Sequence, residues 1–309
     1  MPPAPASSLP GSRPGVLHSQ VIDWYDTHAR SLPWRQPSAD AWAVLVSEVM
    51  LQQTPVARVV PVYQEWMTRW PTPAALARAP VGDAIRAWGR LGYPLRALRL
   101  HSAAVTCVDL YAGQVPSGPA QLRALPGVGD YTAAAVGSFA FGQRHVVLDT
   151  NVRRVHARLL AGTARAPGGT PRADERAAAQ GMLPGSPVRA SRWAAAVMEL
   201  GAVVCTARSP RCQTCPVAGA CAWRAAGYPP SQDAPRRSQA YAGTDRATRG
   251  ALLAVLRLST APLSRSALLA AVTDAGGPGD RVQLDRCLDA LVSDHLVDRQ
   301  PDGTYALPG

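Results

Sequence analysis

Cys205, Cys212, Cys215 and Cys221 are separated by six, two and five residues, in a chain that holds six cysteines in all. A cluster this tight gathers a short loop around one centre, and four thiolates are the ligand set of an iron–sulfur cluster or a tetrahedral zinc. Two disulfides are the other use for four cysteines, but that use belongs to small secreted frameworks. This chain has 309 residues, begins with no signal-peptide pattern, and would be left with Cys107 and Cys287 as stray thiols. Zinc ribbons commonly pair two Cys-x-x-Cys knuckles, and only Cys212 to Cys215 forms one here. The spacing therefore favours a [4Fe–4S] cluster over zinc.

A chain of this length can bury a substantial core and divide into two or three domains. It contains no run of 18 apolar residues, so no membrane span is expected. The net charge of +11 is uneven. Residues 1–229 hold 23 basic and 12 acidic side chains, whereas residues 230–309 hold 9 of each. The first part carries the whole excess, as suits a surface that lies along a polyanion such as DNA. All 32 basic residues are arginine, and there is no lysine.

Residues 1–15, rich in Pro, Ser and Gly, read as a disordered leader. From Val16 the pattern is of short amphipathic helices broken by Pro and Gly, clearest over 44–51, 59–70, 73–79, 81–88, 96–111, 132–139 and 152–160, which predicts an all-α body. Residues 229–240 read as a linker. Beyond it, 248–258, 264–275 and 282–295 have helical periodicity, and 297–299 and 304–307 flank the turn Pro301-Asp302-Gly303. Three helices and a hairpin predict a winged-helix-like module over 241–309. Its third helix sets Asp285, Asp289 and Asp294 against Arg281 and Arg286. A near-neutral helix is a poor phosphate partner, so docking onto the body is favoured over base reading.

Three motifs can carry chemistry. Leu125-Pro126-Gly127-Val128-Gly129 lies between two predicted helices, where its glycines permit a tight turn with outward-facing amides beside a helix N-terminus. Such a hairpin holds a phosphate without reading sequence, although a bare Gly-x-Gly is more often only a turn. Glu48 lies in Val44–Leu51, which is apolar on nearly every side; desolvation raises a carboxyl pKa and keeps a proton available. Asp149 follows Val146-Val147-Leu148 and precedes a helix, where it is expected as an N-cap favoured in its ionised form.

Together these residues resemble the helix-hairpin-helix base-excision DNA glycosylases, endonuclease III-like proteins, and among them the MutY adenine glycosylases. The matching segments are Leu32-Pro33-Trp34-Arg35, Ser47–Thr54, Leu91-Gly92-Tyr93, the hairpin 125–129, Leu148-Asp149-Thr150-Asn151-Val152 and the four cysteines, in order over residues 16–228. The resemblance implies a six-helix barrel (about 36–134) inserted into a cluster-bearing domain (16–35 plus 135–228), with the target base flipped into the cleft between them. It implies that Glu48 protonates the adenine, that Asp149 stabilises the oxocarbenium-like sugar and helps place water, and that Tyr131 stands beside that Asp. Arg35, Glu199 and Trp34 line the adenine pocket, and Asn151 is a further substrate-side residue. Gln53, Thr54, Leu91 and Tyr93 fill the gap in the duplex and contact the opposite base. Gly127, Val128 and Gly129 hold the DNA backbone. The partner implied is double-stranded DNA with an adenine mismatch, bound by a monomer in the bacterial cytoplasm at the nucleoid.

The absence of lysine bears on the reaction. Endonuclease III relatives that also cut the backbone form a Schiff base through a lysine after the hairpin, where this chain has Tyr131, so base removal without strand cleavage is expected. The chain departs from many MutY enzymes at its C-terminus, where it has neither a Nudix-like domain nor the Phe-Ser-His loop that reads 8-oxoguanine; its phenylalanines are Phe139 and Phe141. That segment looks like the shorter tail of some actinobacterial MutY proteins. Two other readings remain open: a mismatch thymine glycosylase of the same superfamily, and an iron–sulfur DNA-binding regulator without catalysis.

Overall fold

The computed structural model describes residues 14–231, 241–277 and 280–309. The expected leader lies outside the described residues through position 13, and the expected linker lies outside them from position 232. In chain order the helices are α1 (Pro14–His28), α2 (Ala41–Leu51), α3 (Val56–Arg69), α4 (Pro73–Ala77), α5 (Val81–Trp88), α6 (Leu95–Tyr111), α7 (Pro119–Ala124) and α8 (Asp130–Phe139). They continue as α9 (Thr150–Leu159), α10 (Ala173–Gly181), α11 (Pro187–Val203), α12 (Ala222–Ala225), α13 (Asp245–Leu258), α14 (Arg265–Asp274) and α15 (Arg281–Ser293), before strands β1 (Asp298–Arg299) and β2 (Tyr305–Ala306). Among the described residues no helix is long and apolar enough to cross a membrane.

The chain divides into two compact units. The first comprises the described residues of Met1–Pro37 and Gly129–Pro235, and the second those of Ser38–Val128 and Arg236–Gly309. In the first unit α11 packs on α1, α8 and α9 around Leu17, Val21, Val155, Trp193, Val197 and Leu200. The 17-residue α11 is not apparent from sequence periodicity. Its run Trp193-Ala194-Ala195-Ala196-Val197 is apolar on every face, so the 3.6-residue alternation that marks a surface helix is lost.

In the second unit α2 is buried over nine of its eleven residues and packs against α3 and α6. Asp40 starts α2 by accepting from the Ala43 amide at 2.9 Å. The rings of Trp66, Trp70 and Trp88 meet edge to face, with centroids 4.7 and 5.7 Å apart. The C-terminal module belongs to this unit. Helices α13, α14 and α15 enclose Leu252, Leu256, Leu268, Leu288 and Leu291, and β1 pairs antiparallel with β2 through Asp298↔Ala306 and Arg299↔Tyr305. A bridge from Leu263 to Tyr305 adds a third arm to this wing. The module's core takes in Ile85 of α5, and Gly82 donates its amide to the Pro308 carbonyl at 2.7 Å.

Candidate active site

Glu48 lies in the second unit, on the buried face of α2, with 6% of its surface exposed. Asp149 lies in the first unit as the N-cap of α9, where Oδ1 accepts from the Val152 amide at 2.6 Å and Oδ2 from Asn151 Nδ2 at 2.7 Å. The expected cap is present, but the expected bias towards the anion is reversed. Burial raises the carboxyl above the ordinary aspartate value, outweighing the Val152 and Asn151 donors that lower it. The helix N-terminus thus moderates a desolvation penalty that it does not cancel. Asn151 also accepts from Arg154 Nη2 at 2.7 Å, and Arg154 Nε donates to the Cys205 carbonyl at 2.7 Å. Tyr131 is half-buried on α8, against the small core of Ala135, Val147 and Ala194.

Glu199 of α11 is fully buried, and two arginines meet it. Arg30 donates to Oε1 from Nε at 2.6 Å and to Oε2 from Nη2 at 2.8 Å, while Arg35 Nη2 reaches Oε2 at 2.9 Å. Burial would raise the Glu199 pKa, but the hydrogen bonds and charges of Arg30 and Arg35 prevail and hold it at about 2. Trp34, buried on the turn Pro33–Arg35, precedes Arg35 in the chain. Arg35 Nη1 is buried without a hydrogen-bond partner among the described residues, so a donor in this clamp is unused. Arg30 was not singled out from sequence. Two positions before the Leu-Pro-Trp-Arg segment, in a chain with many arginines, nothing local marks it.

Gln53, Thr54, Leu91 and Tyr93 come together on two neighbouring loops of the second unit. Gln53 and Tyr93 are exposed, whereas Thr54 and Leu91 are buried, with the Thr54 hydroxyl donating to the Leu91 carbonyl at 3.3 Å. Arg96 staples the loops. Its guanidinium donates to the carbonyls of Met50 (3.0 Å), Gln52 (2.6 Å) and Gly92 (2.9 Å) and to the Thr54 hydroxyl (2.9 Å), and burial pulls its pKa down to about 10. Gln53 and Tyr93 have φ of 55° and 49°. Left-handed backbone at residues with a Cβ costs on the order of 1–3 kcal/mol and clusters at functional sites.

Between α7 and α8, Gly127 has φ of 81° and Val128 is buried. A Cβ added to Gly127 would fall 2.9 Å from Arg99 Cβ, while one at Gly129, the residue before α8, would meet nothing within 4 Å. Gly127 is therefore held tightly against α6, whereas a side chain at Gly129 would meet open space.

Cys205, Cys212, Cys215 and Cys221 are free and partly buried. Burial pushes Cys215 up to about 11, and charge on Cys205, Cys221 and Cys212 pushes in the same direction, so the four thiols share one electrostatic neighbourhood. Among the described residues no three His, Cys, Asp or Glu side chains group as ligands of a single metal ion. The buried Arg158 donates to Cys205 Sγ at 3.3 Å, and its guanidinium lies 4.6 Å from the Trp223 ring centroid. A thiol-only donor set beside a buried cation suits a thiolate-bound iron–sulfur centre.

Residues 46–177 match the model of the HhH-GPD superfamily base excision DNA repair proteins, and residues 205–221 match the iron-sulfur binding domain of endonuclease III. A Mycobacterium tuberculosis protein named adenine DNA glycosylase is 49% identical over 306 residues, which cover 99% of this chain and 97% of the relative. This chain belongs to the adenine DNA glycosylase family. The human adenine DNA glycosylase is 42% identical over 214 residues, 67% of this chain but 39% of the human protein. Likeness to the mycobacterial member thus takes in the C-terminal module, since it covers 99% of this chain. A thermostable thymine-DNA glycosylase of solved structure superposes with a TM-score of 0.62 at 26% identity, covering 69% of this chain and 97% of that one. The all-α, helix-hairpin-helix expectation is met.

Proposed function

We propose that this chain is a monofunctional glycosylase that removes adenine opposite 8-oxoguanine or guanine in double-stranded DNA, acting as a monomer at the bacterial nucleoid. The observation that carries the reading is the clamp of Arg30 and Arg35 on Glu199. The Arg30 backbone amide also donates to Glu199 Oε1 at 3.1 Å, so the carboxylate is saturated by two donors on each oxygen and fixes the guanidinium of Arg35, whose unused Nη1 offers a donor to a purine edge while Trp34 supplies an apolar wall. Glu48 donates a proton to the departing adenine. Asp149 faces the positive charge that develops on the sugar and guides the attacking water, with Asn151 orienting it and Tyr131 alongside. Its raised pKa means that burial sharpens its response to that charge. Gln53 and Tyr93 enter the duplex, with Thr54 and Leu91 behind them, and the amides of Gly127 and Gly129 take a phosphate, while the Val128 amide closes the turn on the Leu125 carbonyl at 3.1 Å. Cys205, Cys212, Cys215 and Cys221 would hold a [4Fe–4S] cluster, which when bound ties the 205–221 loop into one rigid body.

The test is single-turnover excision from three duplexes: adenine opposite 8-oxoguanine, adenine opposite guanine, and thymine opposite guanine. Adenine should leave the first two and thymine should stay. Glu48→Gln should lower the rate by about 100- to 10,000-fold with lesion-DNA binding retained. Thymine release would move the chain to the mismatch thymine enzymes, and no release of either base would leave a non-catalytic DNA binder.

A further inference from the structure

Within the second unit, a groove of about 1600 Å³ runs between the loops that carry Gln53, Leu91 and Tyr93 and helix α13 of the C-terminal module. Its lining holds eight arginines and a single acidic side chain, Asp294. Five of the arginines are engaged. Arg96 holds the loops, Arg58 donates to the Arg90 carbonyl, Arg249 pairs with Asp294, and Arg86 and Arg257 tie α5 to α13 through the carbonyls of Arg257 and Ile85 at 3.0 and 3.1 Å. The side chains of Arg90, Arg99 and Arg246 are exposed, and their guanidiniums make no hydrogen bond or ion pair among the described residues. The Arg246 guanidinium lies over the Tyr241 ring, 5.1 Å from its centroid, which orients it without neutralising it.

Solvated arginines on a basic protein are ordinarily unremarkable, but their placement here is not what the module's balanced charge predicts. Asp285 pairs with Arg265 at 2.9 Å, Asp245 with Arg286 at 2.7 Å, and Asp294 with Arg249. Asp285 of α15, Asp294 just past its end and Asp245 of α13 are thus answered within the module, and α13 presents Arg246 bare on the groove that the exposed Gln53 and Tyr93 also line. We infer that this groove binds the sugar–phosphate backbone of the strand carrying the base opposite the adenine, with Arg246 of the C-terminal module and Arg90 of the barrel taking phosphates from its two walls. The inference rests on the reading above that Gln53 and Tyr93 enter the duplex. It gives the module a part in DNA binding besides docking, through α13 rather than through its third helix.

The experiment is equilibrium binding of the full chain to an adenine–8-oxoguanine duplex as a function of salt. Arg246→Gln and Arg90→Gln should each weaken binding by roughly tenfold at moderate salt and flatten the log–log salt slope by about 0.9, the double variant by about twice that. Arg246→Lys should restore the slope, because the charge returns. Arg281→Gln is the control. It removes a charge at the far end of α15, ~20 Å from Asp294 by helical rise, and should leave the slope unchanged. If Arg246→Gln and Arg90→Gln bind with the wild-type slope, or change it no more than Arg281→Gln does, the groove is not a phosphate site. Wild-type excision on the same duplex is read in parallel. Its absence would remove the proposed function, whereas the slopes would still decide the groove.

Discussion

Asn151 holds Asp149 through a 2.7 Å hydrogen bond from Nδ2 to Oδ2, and is itself held by Arg154. A donor to a carboxylate stabilises the anion, and Asn151 is among the groups that pull the Asp149 pKa down against burial. In Asn151→Ala the opposition weakens, so the pKa rises further and less Asp149 is ionised at a given pH. Single-turnover excision should fall on the order of tenfold at neutral pH, with the acid limb of the pH–rate profile displaced to higher pH. A uniform loss at every pH, with the limb in place, would show that Asn151 contributes packing and not charge.

Arg30 shares Glu199 with Arg35 and is about a third exposed, so its contribution is smaller than that of a fully buried ion pair. Arg30→Gln should cost roughly 1–3 kcal/mol at pH 7. The sign of the pH dependence follows from Glu199, whose folded pKa of about 2 lies below its unfolded value. The stability that this depression supplies is complete above the unfolded carboxylate pKa and is lost as pH falls towards 2. Urea midpoints of wild type and variant should therefore converge on acidification, and a gap that stays constant down to pH 2 would contradict the clamp as drawn.

Borohydride should trap no covalent complex with substrate DNA, and strand breaks should appear only after alkali. A Schiff base needs an amine, the chain has no lysine, and Tyr131 stands at the position after the hairpin. The N-terminal amine is the one alternative nucleophile. A trapped adduct that survives removal of residues 1–13 would overturn the assignment of base removal without lyase chemistry.

Protein purified without oxygen should contain about four irons and no stoichiometric zinc. Cys215→Ser should lose most of the iron and lower the melting temperature, since α9, α12 and the 205–221 loop would no longer share a common tie. Full iron content in that variant would remove Cys215 from the ligand set.

How far the sequence could be read depended on whether a signal was local. Glu48 stood out because one carboxylate interrupts an apolar run, Asp149 because a capping residue follows a hydrophobic segment, and the cysteines because their spacing is itself the signal. Arg30 and Arg96 did not stand out. Each does its work at Glu199 or at loop carbonyls far along the chain, and among many arginines neither has a distinguishing neighbour. Gln53 and Tyr93 were named through family likeness, but their left-handed backbone is invisible in a string of letters because neither is glycine. Helix α11 escaped because its run Trp193–Val197 is apolar on every face and so shows no period. The groove escaped because net charge sums over a module, while binding depends on which arginines remain unpaired.

Gly82 tests how the C-terminal module is seated. A Cβ at this position would lie 2.4 Å from the Pro308 carbonyl oxygen and 2.9 Å from Leu307 Cβ, so the chain end can rest on α5 only because residue 82 is glycine. Alanine favours a helix over glycine by about 1 kcal/mol, so α5 itself should not suffer. Any loss must come from the contact, at about 1–3 kcal/mol for a forced shift. Gly82→Ala should speed hydrogen exchange at the amides of Gly82, Leu263 and Tyr305, the donors of the docking bond and of the Leu263–Tyr305 bridge, while leaving α9 and α11 protected. The point change is more informative than deleting the module, because Ile85 is wholly buried in the module's core and Val81 and Leu95 pack against it. Deletion would expose these side chains and confuse loss of DNA contact with loss of fold. If exchange at Gly82 and Tyr305 is unchanged in Gly82→Ala, the module is not held to the barrel by this contact.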